Sequence, residues 1–211
     1  MKKFELTNEF ITNMFGTKLF RIRALVEFGD VEAGELGGYV EKESNLGHDD
    51  NAWVYGNARV YGDALVYDNA RVYDNAWVYG NAQVSDNARV YGNARVCGNA
   101  LVYGNAWVYG NAWVYGDAQV SGDARVCGNG DYAYAHGFGS VNRTTTFFRL
   151  KDGGVGVRCG CFYGTLAQFR DKIRETHGES AIAEEYLMLA DLMELRFEED
   201  ENEVGNRKYV E

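Results

Sequence analysis

The sequence predicts a mainly β protein, a parallel β-helix of hexapeptide repeats followed by a small α+β C-terminal domain. Three observations predict it. Asn51 to Gly128 is one six-residue unit written thirteen times, from NAWVYG to DARVCG. The residue before each repeat Val sorts into three sets when units eighteen residues apart are grouped. Beyond Gly130 the six-residue period stops, and apolar residues return at helical spacing after Thr165.

A six-residue period cannot keep Val on one side of a helix, because 3.6 does not divide six. A strand can. Ala and Val lie two apart and share one strand face, while the residue between them and the residue after Val point the other way. The Gly-Asn, Gly-Asp and Asp-Asn junctions supply corners, since these residues tolerate positive φ. One unit has no core of its own, whereas stacked units bury a continuous column of Val and Ala. The variable slot indicates three strands per coil. One face carries Trp53, Arg71, Arg89, Trp107 and Arg125; a second carries Arg59, Trp77, Arg95 and Trp113. The third carries Leu65, Gln83, Leu101 and Gln119. On that face the slot after Val alternates Tyr67, Ser85, Tyr103, Ser121, and the segment from Leu65 nearly repeats from Leu101.

Four segments follow. Residues 1–50 form an N-terminal cap with irregular first repeats, in which Val40 and Leu46 stand six apart with Ser44 in the small slot. A two-residue insertion at His48 to Asp50 then shifts the phase. The cap covers the open end of the column, where an uncovered coil would be an exposed strand edge. Residues 51–128 are the repeat, 129–143 a linker, and 144–211 a small β-hairpin plus two-helix domain with an acidic tail. The hairpin is TTTFFRL and VGVRCGCF about a turn at Lys151 to Gly154. Thr165 and Gln168 form a capping box for a helix that buries Leu166, Phe169 and Ile173 and stops at His177-Gly178. Ser180 opens a second helix with the stripe Tyr186, Ala190, Met193, Phe197.

The net charge of −10 resides in the flanks, including the run Glu198 to Glu203, read as a solvated tail. The repeat is nearly neutral, and its only cations are Arg. Such a surface argues against direct nucleic-acid binding by bulk electrostatics. Lys2 and Lys3 precede the polar FELTNEFITN rather than an apolar run, and no stretch is long enough to span a membrane. Four Cys without a secretion signal suggest a reducing, cytoplasmic location in the host cell. Cys97 and Cys127 occupy Tyr slots and read as surface filler. Cys159 and Cys161 share a strand face, but two Cys with the distant His177 are a poor metal set, so no metal and no cofactor is assigned.

The pattern V-x-G-N-A-x resembles the hexapeptide repeat of left-handed parallel β-helix proteins. The opening LFRIRALVEFGDVEAGELGGYVEKESNL, the repeats and the ending TTTFFRLKDGGVGVRCGCFYGTLAQF together are similar to phage- and prophage-encoded members, usually described as transferase-like. The left hand comes from this resemblance alone. The acyltransferases of the group imply a trimer, an acyl donor between prisms and a His general base. Here no His occurs between Asn51 and Gly128, and no loop interrupts the repeats; His48, His136 and His177 lie outside. The expectation is therefore a non-enzymatic phage interaction protein with no catalytic residue. Its role would be inhibition of a host defence system, by binding a host protein or sequestering a small nucleotide. A virion-associated rod and an acyltransferase are the alternatives. The expected contact residues are Trp53, Arg59, Arg71, Trp77, Arg89, Arg95, Trp107, Trp113 and Arg125, since Trp, Tyr and Arg are enriched at recognition hot spots. They could equally serve a homo-oligomer, dimer or trimer, because exposed Trp usually has a cover. Strand propensity and self-stacking are the plainer explanation of the same ladders.

Overall fold

The computed structural model describes residues 2–204, with side chains through Glu198. The rest of the acidic run lies outside the described side chains. The chain divides into two compact units, Met1–Gly128 and Asn129–Glu211.

The first unit opens with β1 (Phe4–Thr12), β2 (Lys18–Ala24) and β3 (Leu36–Val40). Thirteen two-residue strands follow among the described residues, β4 (Trp53–Val54) to β16 (Arg125–Val126), each the variable residue and its Val. They stack in parallel at eighteen-residue spacing, as in Trp53↔Arg71, Arg59↔Trp77 and Leu65↔Gln83. Three sheets result, matching the three sets read from the sequence. Every repeat Val and Ala is fully buried, so the core is a column of two small aliphatic residue types.

The corners explain the Gly/Asp slot. Asp68, Asp74 and Asp86 adopt φ of 57°, 60° and 55°, in the same left-handed region as the Gly at the other corners. Asp74 and Asp86 use the strain: their carboxylates accept from the N–H groups of Gly92 (3.0 Å) and Gly104 (2.9 Å) one coil on. Where Gly stacks on Gly there is no room for a side chain. A Cβ at Gly98 would lie 2.9 Å from the Gly116 nitrogen. The following Asn residues form a ladder, Nδ2 to Oδ1, as in Asn51 to Asn69 and Asn81 to Asn99, both 3.0 Å.

The cap follows from the direction of the ladder. Each strand N–H donates to a carbonyl seventeen residues on, so the first coil's carbonyls have no earlier coil to serve them. On one face Tyr39 and Glu41 donate to Ala58 and Val60. On the next, the buried Asn45 side chain donates to Gly62 (3.0 Å) and Ala64 (2.8 Å), and Gly47 to Val66. On the Trp53 face, Lys3 Nζ donates to the carbonyls of Asp50 (2.7 Å) and Ala52 (2.9 Å). Val40 and Leu46 do stack on Val60 and Val66, at a spacing of twenty. Ser44, however, is exposed: it lies within a 3-10 turn, Glu43–Asn45, whose Asn is needed as a donor.

In the second unit, β17 (Tyr132–Phe138), β18 (Arg143–Arg149), β19 (Val155–Cys159) and β20 (Phe162–Thr165) form an antiparallel meander. The expected linker 129–143 is corrected here. YAYAHGF is a strand pairing with β18, and with Ala, His and Gly between its aromatic residues it gave too little apolar patterning to be recognised. The helices are α1 (Leu166–His177) and α2 (Ala181–Val204). The capping box forms both ways, with Gln168 N to Thr165 Oγ1 at 3.3 Å and Thr165 N to Gln168 Oε1 at 2.9 Å. Phe147, Val157, Phe169, Ile173, Tyr186, Ala190, Met193 and Phe197 form the core. Among the described residues no helix is long and apolar enough to cross a membrane.

Candidate binding surface

The variable slot points outward, so each parallel sheet displays a column of side chains one coil apart, about 4.8 Å. On the second face the column alternates cation and ring. Arg59 and Arg95, the neighbours of Trp77 in the stack, both lie over its ring, 5.0 and 4.9 Å from its centroid, and Arg95 also reaches Trp113 at 6.0 Å. On the first face Trp107 lies between Arg89 (5.1 Å) and Arg125 (4.2 Å). These are cation–π distances, each stabilising by about 0.5–1 kcal/mol at exposed sites. The slot after Val builds a second set of columns: Tyr73, Tyr91 and Tyr109 stack at 4.9 and 5.1 Å, and Tyr61 on Tyr79 at 5.1 Å.

Trp53 is the exception and corrects the expected contact set. It is fully buried, covered by Phe4 (6.1 Å) and Phe28 (5.3 Å) of the cap. It belongs to the terminal coil, which the cap must seal, and its position in the repeat gives no sign of that. Trp77 and Trp107 are half-buried, and Trp113 is 41% exposed.

On the first face Asp30, Tyr55, Arg71, Tyr73 and Arg89 line an open cavity of about 320 Å³. Asp30 accepts from the Tyr55 hydroxyl at 3.0 Å and from Arg71 at 2.8 Å. Burial, reinforced by the Asp30 hydrogen bond, pushes the Tyr55 phenol up, and burial also raises Tyr73, so both stay protonated donors. Arg59, Arg89 and Arg95 have no acidic partner among the described residues. The cavity therefore combines a guanidinium without an acidic partner, one guanidinium tethered to Asp30 and two phenol rings. That set suits a ligand with an anionic group and a flat ring. Sequence reasoning found Arg71 and Arg89 but missed Asp30, which no repeat or motif marks.

The remaining candidates separate. His48 stacks on Phe4 at 4.5 Å and accepts the Lys3 N–H at 3.2 Å, and burial lowers its pKa. His136 pairs with Thr144 at 2.9 Å. Cys97 is buried, not surface filler: it accepts the Trp113 indole N–H at 3.1 Å, filling the space a Tyr ring occupies elsewhere. Cys159 ends β19 and Cys161 lies in the turn after it, so they share no strand face, yet both line one cavity with His177. Among the described residues no three His, Cys, Asp or Glu side chains are grouped to hold a metal ion.

The chain matches the family described as YdcK beta solenoid repeat at residues 52–67, 64–80, 82–98, 94–110, 100–116 and 108–122. All six segments fall within the stacked strands. Sequence match and geometry together define a repeat β-helix protein, a β-solenoid with two C-terminal helices. No curated protein matches the chain.

Proposed function

We propose that the protein is a non-enzymatic binding protein of the left-handed hexapeptide class, encoded by a phage or prophage. In this reading it acts in the host cytoplasm against a defence system, and it does so by sequestering a small nucleotide. The observation that carries the reading is the cavity in which Arg71, Arg89, Tyr55 and Tyr73 converge. Guanidinium groups bind phosphate oxygens, and phenol and indole rings stack on bases. An acidic rod occupying the basic cleft of a host protein is less well supported, because the outward cations would oppose it. A homodimer or trimer would cover the Trp113 face.

Calorimetry with mono- and cyclic dinucleotides tests this directly. Binding that is lost in Arg89→Ala, in a protein that still folds, supports the reading. Absence of binding across the panel, with an intact fold, overturns it and leaves the structural rod as the better account. Incubation with acetyl-CoA and an acceptor panel is expected to give no turnover. Turnover abolished by replacing His136 or His177 would restore the acyltransferase alternative.

A further inference from the structure

We propose that the C-terminal unit contains a second, independent site that binds a small organic anion: one oxyanion group on an apolar body. The site is a cavity of about 210 Å³ between α1, Tyr186 near the start of α2, and the β19–β20 turn. That is below the ~300–1,000 Å³ of drug-sized sites, so the occupant is smaller than a nucleotide.

The lining divides into two halves. Its apolar part is aromatic: Phe162 and Phe169 meet at 5.4 Å, and Phe169 packs edge-on against Tyr186 at 5.8 Å. Its charged part is entirely basic. Arg143, Lys172 and His177 line the cavity, and no Asp or Glu does.

Arg143 is the central group. Its Nε is buried and has no hydrogen-bond partner, and the residue has no ion pair among the described residues. A buried, unpaired guanidinium N–H is costly, so its retention calls for a partner that the chain does not supply. The backbone has been shaped around it. A Cβ at Gly160 would lie 1.7 Å from an Arg143 terminal nitrogen, so a side chain there would displace the guanidinium from its place beside the turn. Gly160 also has φ of 57° there. A planar guanidinium binds carboxylate or phosphate through two parallel hydrogen bonds. Lys172 can assist: its only described partner is Glu175 at 2.8 Å, a pair in which both side chains are exposed. The nearby Glu185 carboxylate is engaged elsewhere, accepting the Gly139 N–H at 3.0 Å. Together these groups favour an oxyanion at the Arg143 end and a ring against Phe162 and Phe169.

The test is calorimetry of the full chain with phenyl phosphate and benzoate, using phenol as the neutral comparator. Both anions are expected to bind more tightly than phenol, and the tighter of the two distinguishes phosphate from carboxylate. Arg143→Met is expected to weaken anion binding by ~10-fold or more, from loss of charge-assisted hydrogen bonds. Lys172→Met, at an exposed position, should weaken it several-fold without affecting folding. If Arg143→Met fails to fold, thiol labelling of wild type replaces it, because Cys161 is exposed and lines the cavity. Phenyl phosphate should slow labelling at Cys161 and leave Cys127 unaffected. Equal affinity for phenol and the anions, unchanged binding in a folded Arg143→Met, or no anion binding tighter than ~10 mM would each overturn the site.

Discussion

Replacing Lys3 by Met tests the cap at its most unusual point. An ammonium group stands where a preceding coil would place backbone N–H donors, and it satisfies the carbonyls of Asp50 and Ala52. The ring of Phe28 lies 4.6 Å from Nζ. Burial lowers the Lys3 pKa from 10.5 to about 8, although Asp50 and Asp49 act in the opposite direction. The folded protein therefore gives up this proton at lower pH than the unfolded chain does. Between about pH 8 and pH 10 the unfolded state binds more protons, so stability contributed by this group rises with pH. At about 1.36 kcal/mol per pH unit, the full difference over the two to three units is at most about 3–4 kcal/mol. Lys3→Met removes that titration. At pH 7 its two effects oppose each other: two carbonyls lose a donor, at about 1–3 kcal/mol each, while a buried charge disappears. The decisive measurement is urea unfolding of both proteins from pH 7 to pH 10. Wild type should gain at least ~1 kcal/mol relative to Lys3→Met over that range. Parallel stability curves would refute the assignment of Lys3 as a buried, proton-losing cap.

Other predictions concern the column itself. Trp53→Ala should cost about 3–5 kcal/mol, as for large-to-small changes in a core. Trp53→Phe should cost clearly less, because the indole N–H it removes is buried and unpaired; equal losses in thermal unfolding would contradict this. Gly98→Ala should destabilise by about 1–3 kcal/mol through positive φ and the clash with Gly116, and a neutral result by chemical denaturation would show the stack to be looser. Trp107→Ala should cost only about 1 kcal/mol of fold stability, since it loses two cation–π contacts but no core packing. If that ring is also a contact anchor, ligand binding or assembly should weaken by ~2 kcal/mol, read by calorimetry and size-exclusion mass.

The repeat block was legible because every position in it answers to one rule. A fixed period of six, with Val and Ala on one side of each strand, determines three faces, their register and the buried column. The capping box at Thr165 was equally local and equally readable. Tertiary structure decided whatever depended on an end or a neighbour outside the period. Trp53 has the same sequence context as Trp77, yet one is sealed by Phe4 and Phe28 and the other is half-open, because only the first coil needs a cover. Lys3 and Asn45 become carbonyl caps only once the unpaired edge is in place. Asp30 reaches Arg71 from forty-one residues away, and Gly160 makes room for Arg143 across a turn; neither contact leaves a periodic trace. Periodicity encodes interactions that repeat, whereas caps and cavities are made by contacts that occur once.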